Sequence, residues 1–160
     1  MNDSGAITPL SQAEQALLNA TTPEQTKNVE ALAAAAMAWA REQDDFENLV
    51  EAGRIYILAR CKTTELISPT IRQGQYGREG NADIAFISDY GFTKMQWQRR
   101  RQELAVRAEL DSYIDDCIEK QTAPTITGLI RFAGGSVQYG GDQAEWRCRM
   151  CGKTREEITR

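Results

Sequence analysis

Histidine is absent from this 160-residue sequence. Its absence removes the side chain that most often acts as a general base near neutral pH and most often ligates metals. A nucleophile would need activation by a lysine or a carboxylate, and a zinc site would need cysteine or carboxylate ligands. No cluster of such residues in the sequence indicates catalysis, so we expect that the protein is not an enzyme.

Long apolar runs are also missing. The best candidate, ALAAAAMAWA (31–40), is ten residues long, whereas a helix needs about 20 residues to span a bilayer. The first ten residues, MNDSGAITPL, have no basic segment followed by an apolar stretch, the pattern of a secretory signal. We therefore expect a cytoplasmic protein that has no membrane contact.

Basic charge is scarce except in the middle of the chain. The net charge is −4. Residues 1–67 carry five Lys/Arg against ten Asp/Glu, a net of −5, and residues 108–160 carry seven against nine, a net of −2. Residues 68–107 carry seven against four, a net of +3. Any contact with phosphate is therefore expected to be confined to the middle of the chain.

Helix signals dominate the first half. TPEQ (22–25) predicts a capping box with proline at the first helical position, and DDFE (44–47) offers a second cap. The apolar spacing between and after them predicts helices over about 23–42 and 45–67, either as an antiparallel pair or as one helix broken near Gln43. Ala33 and Ala36 are too small to fill a core alone. Either the 45–67 helix or a second chain, in a homodimer, must pack closely on them.

The whole pattern predicts a mainly α fold, with a long N-terminal helical hairpin followed by a helix-turn-helix bundle. We divide the chain into an N-terminal helical region (1–67), a Gly-rich loop (68–81), a helix-turn-helix-like domain (82–135) and a small β-hairpin and zinc-knuckle-like tail (136–160). The loop is interpreted either as a flexible connection or as an arm whose Arg72 and Arg78 reach phosphate.

A helix-turn-helix is predicted around Gly91. ADIAFISD (82–89) forms the first helix, YGF (90–92) the turn, and the second helix runs from Lys94 to Ala108. Glutamine can pair with adenine and lysine with guanine, while arginines more naturally hold the DNA backbone. The residues expected to bind nucleic acid are Thr93, Lys94, Gln96, Gln98, Arg99, Arg100, Arg101 and Arg107.

The same residues allow a second interpretation, in which the basic helix belongs to a purely structural bundle. Successive helical residues advance about 100°, so at most two of Arg99, Arg100 and Arg101 can face one surface. A DNA-binding protein is expected to expose Lys94, Arg99, Arg100 and Arg107 on one face. A protein-binding module would instead bury Arg99–Arg101 in ion pairs with the acidic helices.

A Cys-x-x-Cys-Gly turn, in WRCRMCGK (146–153), resembles half of a zinc site. Cys148 and Cys151 are the candidate metal ligands. A structural zinc takes four ligands, so the others would come from a second subunit or from nearby carboxylates. A redox pair and a turn without metal are the alternatives. Cys61 and Cys117 lie on apolar helix faces and are expected in the core.

The order of motifs resembles a loose group of phage- and plasmid-encoded proteins. EAGRIYILARCKTTELI, YGFTKMQ and TITGLIR match motifs of that group such as AARIYxxARRRxGELL, LGISKKQSSRWQKLA and TTxGLLR, over about residues 25–133. The resemblance implies a DNA-associated regulator, or an accessory part of a replication, partition or methyltransferase system in a bacterial host. It also implies that YGFTKMQWQRRRQELA is the segment that contacts DNA.

We therefore expect a phage or mobile-element protein that binds double-stranded DNA through the helix-turn-helix around Gly91, as a regulator or accessory factor. The alternative is a small phage-encoded module that engages a host or phage enzyme.

Overall fold

Six α-helices make up the regular structure of residues 9–71 and 87–135, the part of the chain that the computed structural model describes. Within these ranges the fold is mainly helical, as predicted, and contains no β-strand. Short 3₁₀ turns at Ser68–Thr70, Ile87–Tyr90 and Arg107–Glu109 accompany the helices. The helices are α1 Pro9–Asn19, α2 Pro23–Glu42, α3 Phe46–Ile67, α4 Lys94–Ala105, α5 Leu110–Glu119 and α6 Ile126–Phe132.

Local caps fix the first long helix pair. The Thr22 hydroxyl accepts a hydrogen bond from the Gln25 amide, and the Gln25 side chain accepts from the Thr22 amide, so α2 begins at Pro23 as predicted. Asp45 caps α3 by accepting from the Asn48 amide. Asp44 has a φ of 54° in the intervening turn, which breaks the chain into two helices.

The two helices run antiparallel. The hydroxyl oxygens of Thr63, near the end of α3, and Thr26, near the start of α2, lie at a hydrogen-bonding distance of 2.8 Å. Ala33 of α2 packs with Ile55 and Ala59 of α3, and Ala36 is likewise buried within the chain. Because α3 already covers this small-residue face, Ala33 and Ala36 do not require a second chain. Their burial within one chain gives no reason for a homodimer through these two residues.

A second apolar cluster joins α3 to α5 and α6. The spacing i, i+3, i+4, i+7 and i+8 in the sequence predicts an apolar stripe on α5, made of Leu110, Tyr113, Ile114, Cys117 and Ile118. The first four are buried, but Ile118 is 48% exposed. The stripe packs against Val50, Ile57 and Cys61 of α3 and Leu129 of α6. Cys61 and Cys117 are both buried core residues, as predicted.

Burial raises the pKa of the Cys61 thiol to about 11. In an unfolded chain a thiol ionises near pH 8.5, so between these values the unfolded state holds fewer protons and folding stability falls as the pH rises. We expect Ellman's reagent to leave Cys61 unmodified in the native protein at pH 8 and to modify it in urea, with mass spectrometry locating the adduct. Between pH 8 and 10, a Cys61→Ala variant should lose less stability than the wild type. Rapid labelling of Cys61 in the folded protein would contradict its burial.

No helix within residues 9–71 and 87–135 is long and apolar enough to cross a membrane.

Candidate nucleic-acid interface

The segment that leads into α4 turns sharply at Gly91. Ile87–Tyr90 form one 3₁₀ turn, and the Gly91 amide donates to the Ser88 carbonyl at 2.9 Å. Gly91 has a φ of +78°, a conformation that glycine adopts without strain, so the turn lies where it was predicted. Residues 82–86, most of the predicted first helix, lie outside the described residues, and the helix-turn-helix as a whole stays a prediction.

Thr93 begins α4 with a capping box. Its hydroxyl accepts from the Gln96 amide at 3.2 Å, and the Gln96 side chain accepts from the Thr93 amide at 2.9 Å. Both side chains are exposed, yet each has an oxygen engaged in holding the helix start. α4 ends at Ala105, three residues earlier than predicted, because the chain tightens into the 3₁₀ turn Arg107–Glu109 before α5.

Two buried ion pairs attach α4 to the helical hairpin. Arg100 donates to both carboxylate oxygens of Glu30 in α2, at 2.9 and 2.7 Å. Glu103 accepts from Arg60 of α3 at 2.8 and 2.9 Å. Arg100 is 5% exposed and Glu103 is fully buried. Both pairs have the two-pronged geometry that makes arginine–carboxylate contacts strong and directional.

The charges in this network are compensated. Burial alone would lower the pKa of Arg60, but the hydrogen bond and the charge of Glu103 outweigh it and raise that pKa above its ordinary value. Thr63 adds a further hydrogen bond of 2.8 Å to Glu30. Across residues 9–71 and 87–135, no buried side-chain nitrogen or oxygen lacks a hydrogen-bond partner. The inner face of α4 is thus polar but satisfied, which holds the helix in one orientation.

Phe92 connects the turn to this network. Its ring contacts two cations: Lys27, whose Nζ is 4.6 Å from the ring centroid, and Arg100, whose Cζ is 4.5 Å away. The buried Trp97 stacks beside it at 6.1 Å. Lys27 also donates a hydrogen bond to the Tyr90 carbonyl. The segment that leads into α4 is therefore also attached to α2.

The three consecutive arginines face three different surroundings, in agreement with the limit that helical geometry sets. Arg99 donates to Thr127 of α6 at 2.8 Å, Arg100 is buried against Glu30, and Arg101 is exposed. Arg100 therefore differs from the expectation that it contacts nucleic acid, since its guanidinium is occupied inside the protein. The four-residue basic face expected of a DNA-binding protein is not formed, and the pairing of Arg100 with α2 is part of what the protein-binding interpretation predicts. Arg107 is exposed but forms a 2.6 Å pair with Glu65.

The outer face of α4 carries Lys94, Gln98 and Arg101, which we call the α4 stripe. These residues are exposed and recur at i, i+4 and i+7, so they lie within an arc of about 60° on the helix. The neighbouring Met95 is 59% exposed. The one carboxylate in the α4 sequence belongs to Glu103, which is buried. The stripe is accordingly basic and polar, with no acidic residue of α4 beside it.

Comparison with protein-family models, with curated protein sequences and with solved structures finds no match to this chain. The resemblance to phage- and plasmid-encoded proteins stays a prediction, and the α4 stripe is the structural basis on which a function can be assigned.

The candidate zinc ligands Cys148 and Cys151 lie outside the described residues, as does the predicted hairpin before them. Zinc binding by the knuckle, and a dimer formed through it, therefore stay predictions. Within residues 9–71 and 87–135, no group of three or more cysteine or acidic side chains is placed to hold a metal ion.

Proposed function

We propose that this protein binds duplex DNA through the α4 stripe, as a regulator or accessory factor of a phage or mobile element. The observation that carries the proposal is the division of α4 into two faces. Its inner face is locked by buried ion pairs, and its outer face presents Lys94, Gln98 and Arg101 with no carboxylate of the same helix. The resemblance of the sequence to DNA-associated phage proteins points the same way.

The dimensions of the stripe suit a major groove. Lys94 and Arg101 are seven residues apart, which is about 10 Å along a helix axis, and the major groove of B-DNA is about 12 Å wide. Gln98 lies between them and has the donor and acceptor that pair with an adenine edge. The N-terminus of α4 has no acidic residue in its first turn, so its partial positive charge adds to that of Lys94.

The rigid attachment of α4 supports the same function. A recognition helix must present its side chains in one register, and ordering it during binding would weaken affinity. The pairs Arg100–Glu30 and Arg60–Glu103 already order α4 in the free protein. In this proposal Arg100 is a positioning residue, and the phosphate contacts come from Lys94 and Arg101.

The number of phosphate contacts sets how strongly DNA binding depends on salt concentration, and here the contacts are Lys94 and Arg101. Each neutralised phosphate changes log K by about −0.9 per unit of log salt concentration. Two contacts per chain give a salt slope of about −2. We expect Lys94→Ala and Arg101→Ala each to weaken binding to random duplex DNA at low salt and to reduce the slope by about 0.9. Fluorescence anisotropy over a series of salt concentrations measures both quantities.

Arg41→Ala is the matched control, because it removes one exposed positive charge from the last turn of α2. Arg41 is eleven residues beyond Glu30, about 16 Å farther along the helix and away from α4. The Arg41→Ala variant should leave the salt slope of DNA binding unchanged. Absence of duplex binding by the wild type at low salt, or an equal effect of Arg41→Ala and Arg101→Ala, would overturn the proposal.

A further inference from the structure

A second surface lies between the start of α3 and the end of α5. A groove of about 490 Å³ opens there, within the range of about 300–1,000 Å³ typical of ligand sites. The buried Val50 and Ile114 and the partly exposed Phe46 and Ile118 form its apolar part, and Glu47 and Glu51 line its rim. None of these residues belongs to α4, so the groove is separate from the α4 stripe.

The exposure of Ile118 is not explained by packing within the described part of the chain. It continues the buried stripe of α5 by one more turn, yet it is 48% exposed. The apolar surface of the α3–α5 interface therefore reaches solvent at this point. An open groove between two helices receives the apolar side chains of a third helix, spaced at i, i+3, i+4 and i+7.

Two carboxylates line this groove on α3, and two more lie near it on α5. Glu47 and Glu51 lie one turn apart on α3, while Asp111 and Asp115 lie within one turn of Ile114 on α5. Arg54 forms pairs of 3.3 Å with Glu51 and 3.2 Å with Asp111, which offset part of the charge of these four acids. Among the residues that the structure describes, no lysine or arginine lines the groove itself. Such a rim repels DNA and a second acidic surface, and it attracts a positively charged one.

We propose that this acidic groove docks a basic amphipathic helix of a partner protein. The leucine-like side chains of that helix cover Ile118 and Phe46, and its lysines or arginines face Glu47 and the neighbouring acids of α5. This surface follows from the groove and its charge alone and does not depend on whether the α4 stripe binds DNA.

The probe is a synthetic helical peptide with leucine at i, i+3, i+4 and i+7 and lysine at its other positions, titrated against the full chain and followed by fluorescence anisotropy. A second peptide carries glutamate in place of lysine. We expect the lysine peptide to bind and the glutamate peptide to fail. Ile118→Ser should weaken binding about tenfold, the effect of removing one central apolar contact.

Matched controls separate the groove from general attraction between opposite charges. Leu18→Ser removes a 77% exposed apolar side chain from α1 and should have no effect. Glu47→Lys and Glu24→Lys each reverse an exposed acid in the first turn of a long helix, and only Glu47→Lys should weaken binding about tenfold. The proposal would be overturned if the lysine peptide does not bind or if the glutamate peptide binds equally well. It would also be overturned if the control variants have the same effects as Ile118→Ser and Glu47→Lys.

Discussion

Replacing Glu103 with leucine is expected to lower the unfolding free energy by about 3–5 kcal/mol, the usual cost of removing one partner from a buried ion pair. The side chain of Arg60 is 16% exposed and that of Glu103 is 1% exposed. After the substitution the Arg60 guanidinium stays largely out of water without its carboxylate, and α4 loses one of its two ionic attachments to the hairpin. Urea unfolding followed by circular dichroism measures the change.

Two further variants test that explanation. Glu65→Leu breaks the Arg107–Glu65 pair, whose side chains are 43% and 46% exposed, and should cost no more than about 1 kcal/mol. Combining Arg60→Met with Glu103→Leu should restore most of the lost stability, because apolar residues of similar volume often replace a buried pair without loss. A cost below about 1 kcal/mol for Glu103→Leu alone would show that the pair does not hold α4 in place.

The helix boundaries could be predicted because their signals are local. Thr22, Pro23 and Gln25 determine the start of α2 within four residues of sequence. The observed helix Pro23–Glu42 matches its predicted range, and Phe46–Ile67 begins one residue later than predicted. Capping hydrogen bonds and apolar periodicity act over a single turn. No tertiary contact is needed to recognise them, so sequence patterns suffice for this part of the fold.

The partners of the α4 charges could not be predicted in the same way. Arg100 meets Glu30 across a separation of 70 residues, and Glu103 meets Arg60 across 43. Helical geometry requires Arg99, Arg100 and Arg101 to point in different directions, but it does not determine which of them points into the protein. One signal was available: Trp97 and Leu104 are seven residues apart and share a face, and Arg100 lies between them on that face.

The packing around Ile118 shows a second limit of sequence patterns. Periodicity placed Ile118 in the core with Ile114 and Cys117, but Ile118 lines an open groove beside the start of α3 and is 48% exposed. An apolar stripe indicates which face of a helix packs against a neighbour, but it does not indicate how far along the helix that neighbour extends. The same excess of apolar surface is what makes the acidic groove a docking surface.

Arg100→Ala and Arg101→Ala, in adjacent positions of one helix, should separate stability from DNA binding. Arg100→Ala leaves Glu30, whose side chain is 12% exposed, without its cationic partner and removes a cation from the face of Phe92. We expect it to lower the unfolding free energy by about 3 kcal/mol. At temperatures where the variant is folded, its salt slope for duplex DNA should match that of the wild type.

Arg101→Ala should show the opposite pattern, because Arg101 is exposed on the α4 stripe. Its unfolding free energy should stay within about 0.5 kcal/mol of the wild type, the usual range for a surface substitution, while its salt slope falls by about 0.9. Both quantities come from urea unfolding and salt-titrated anisotropy on the same preparations. If Arg100→Ala instead reduces the salt slope and leaves stability intact, Arg100 contacts phosphate, and the inner and outer faces of α4 are assigned the wrong way round.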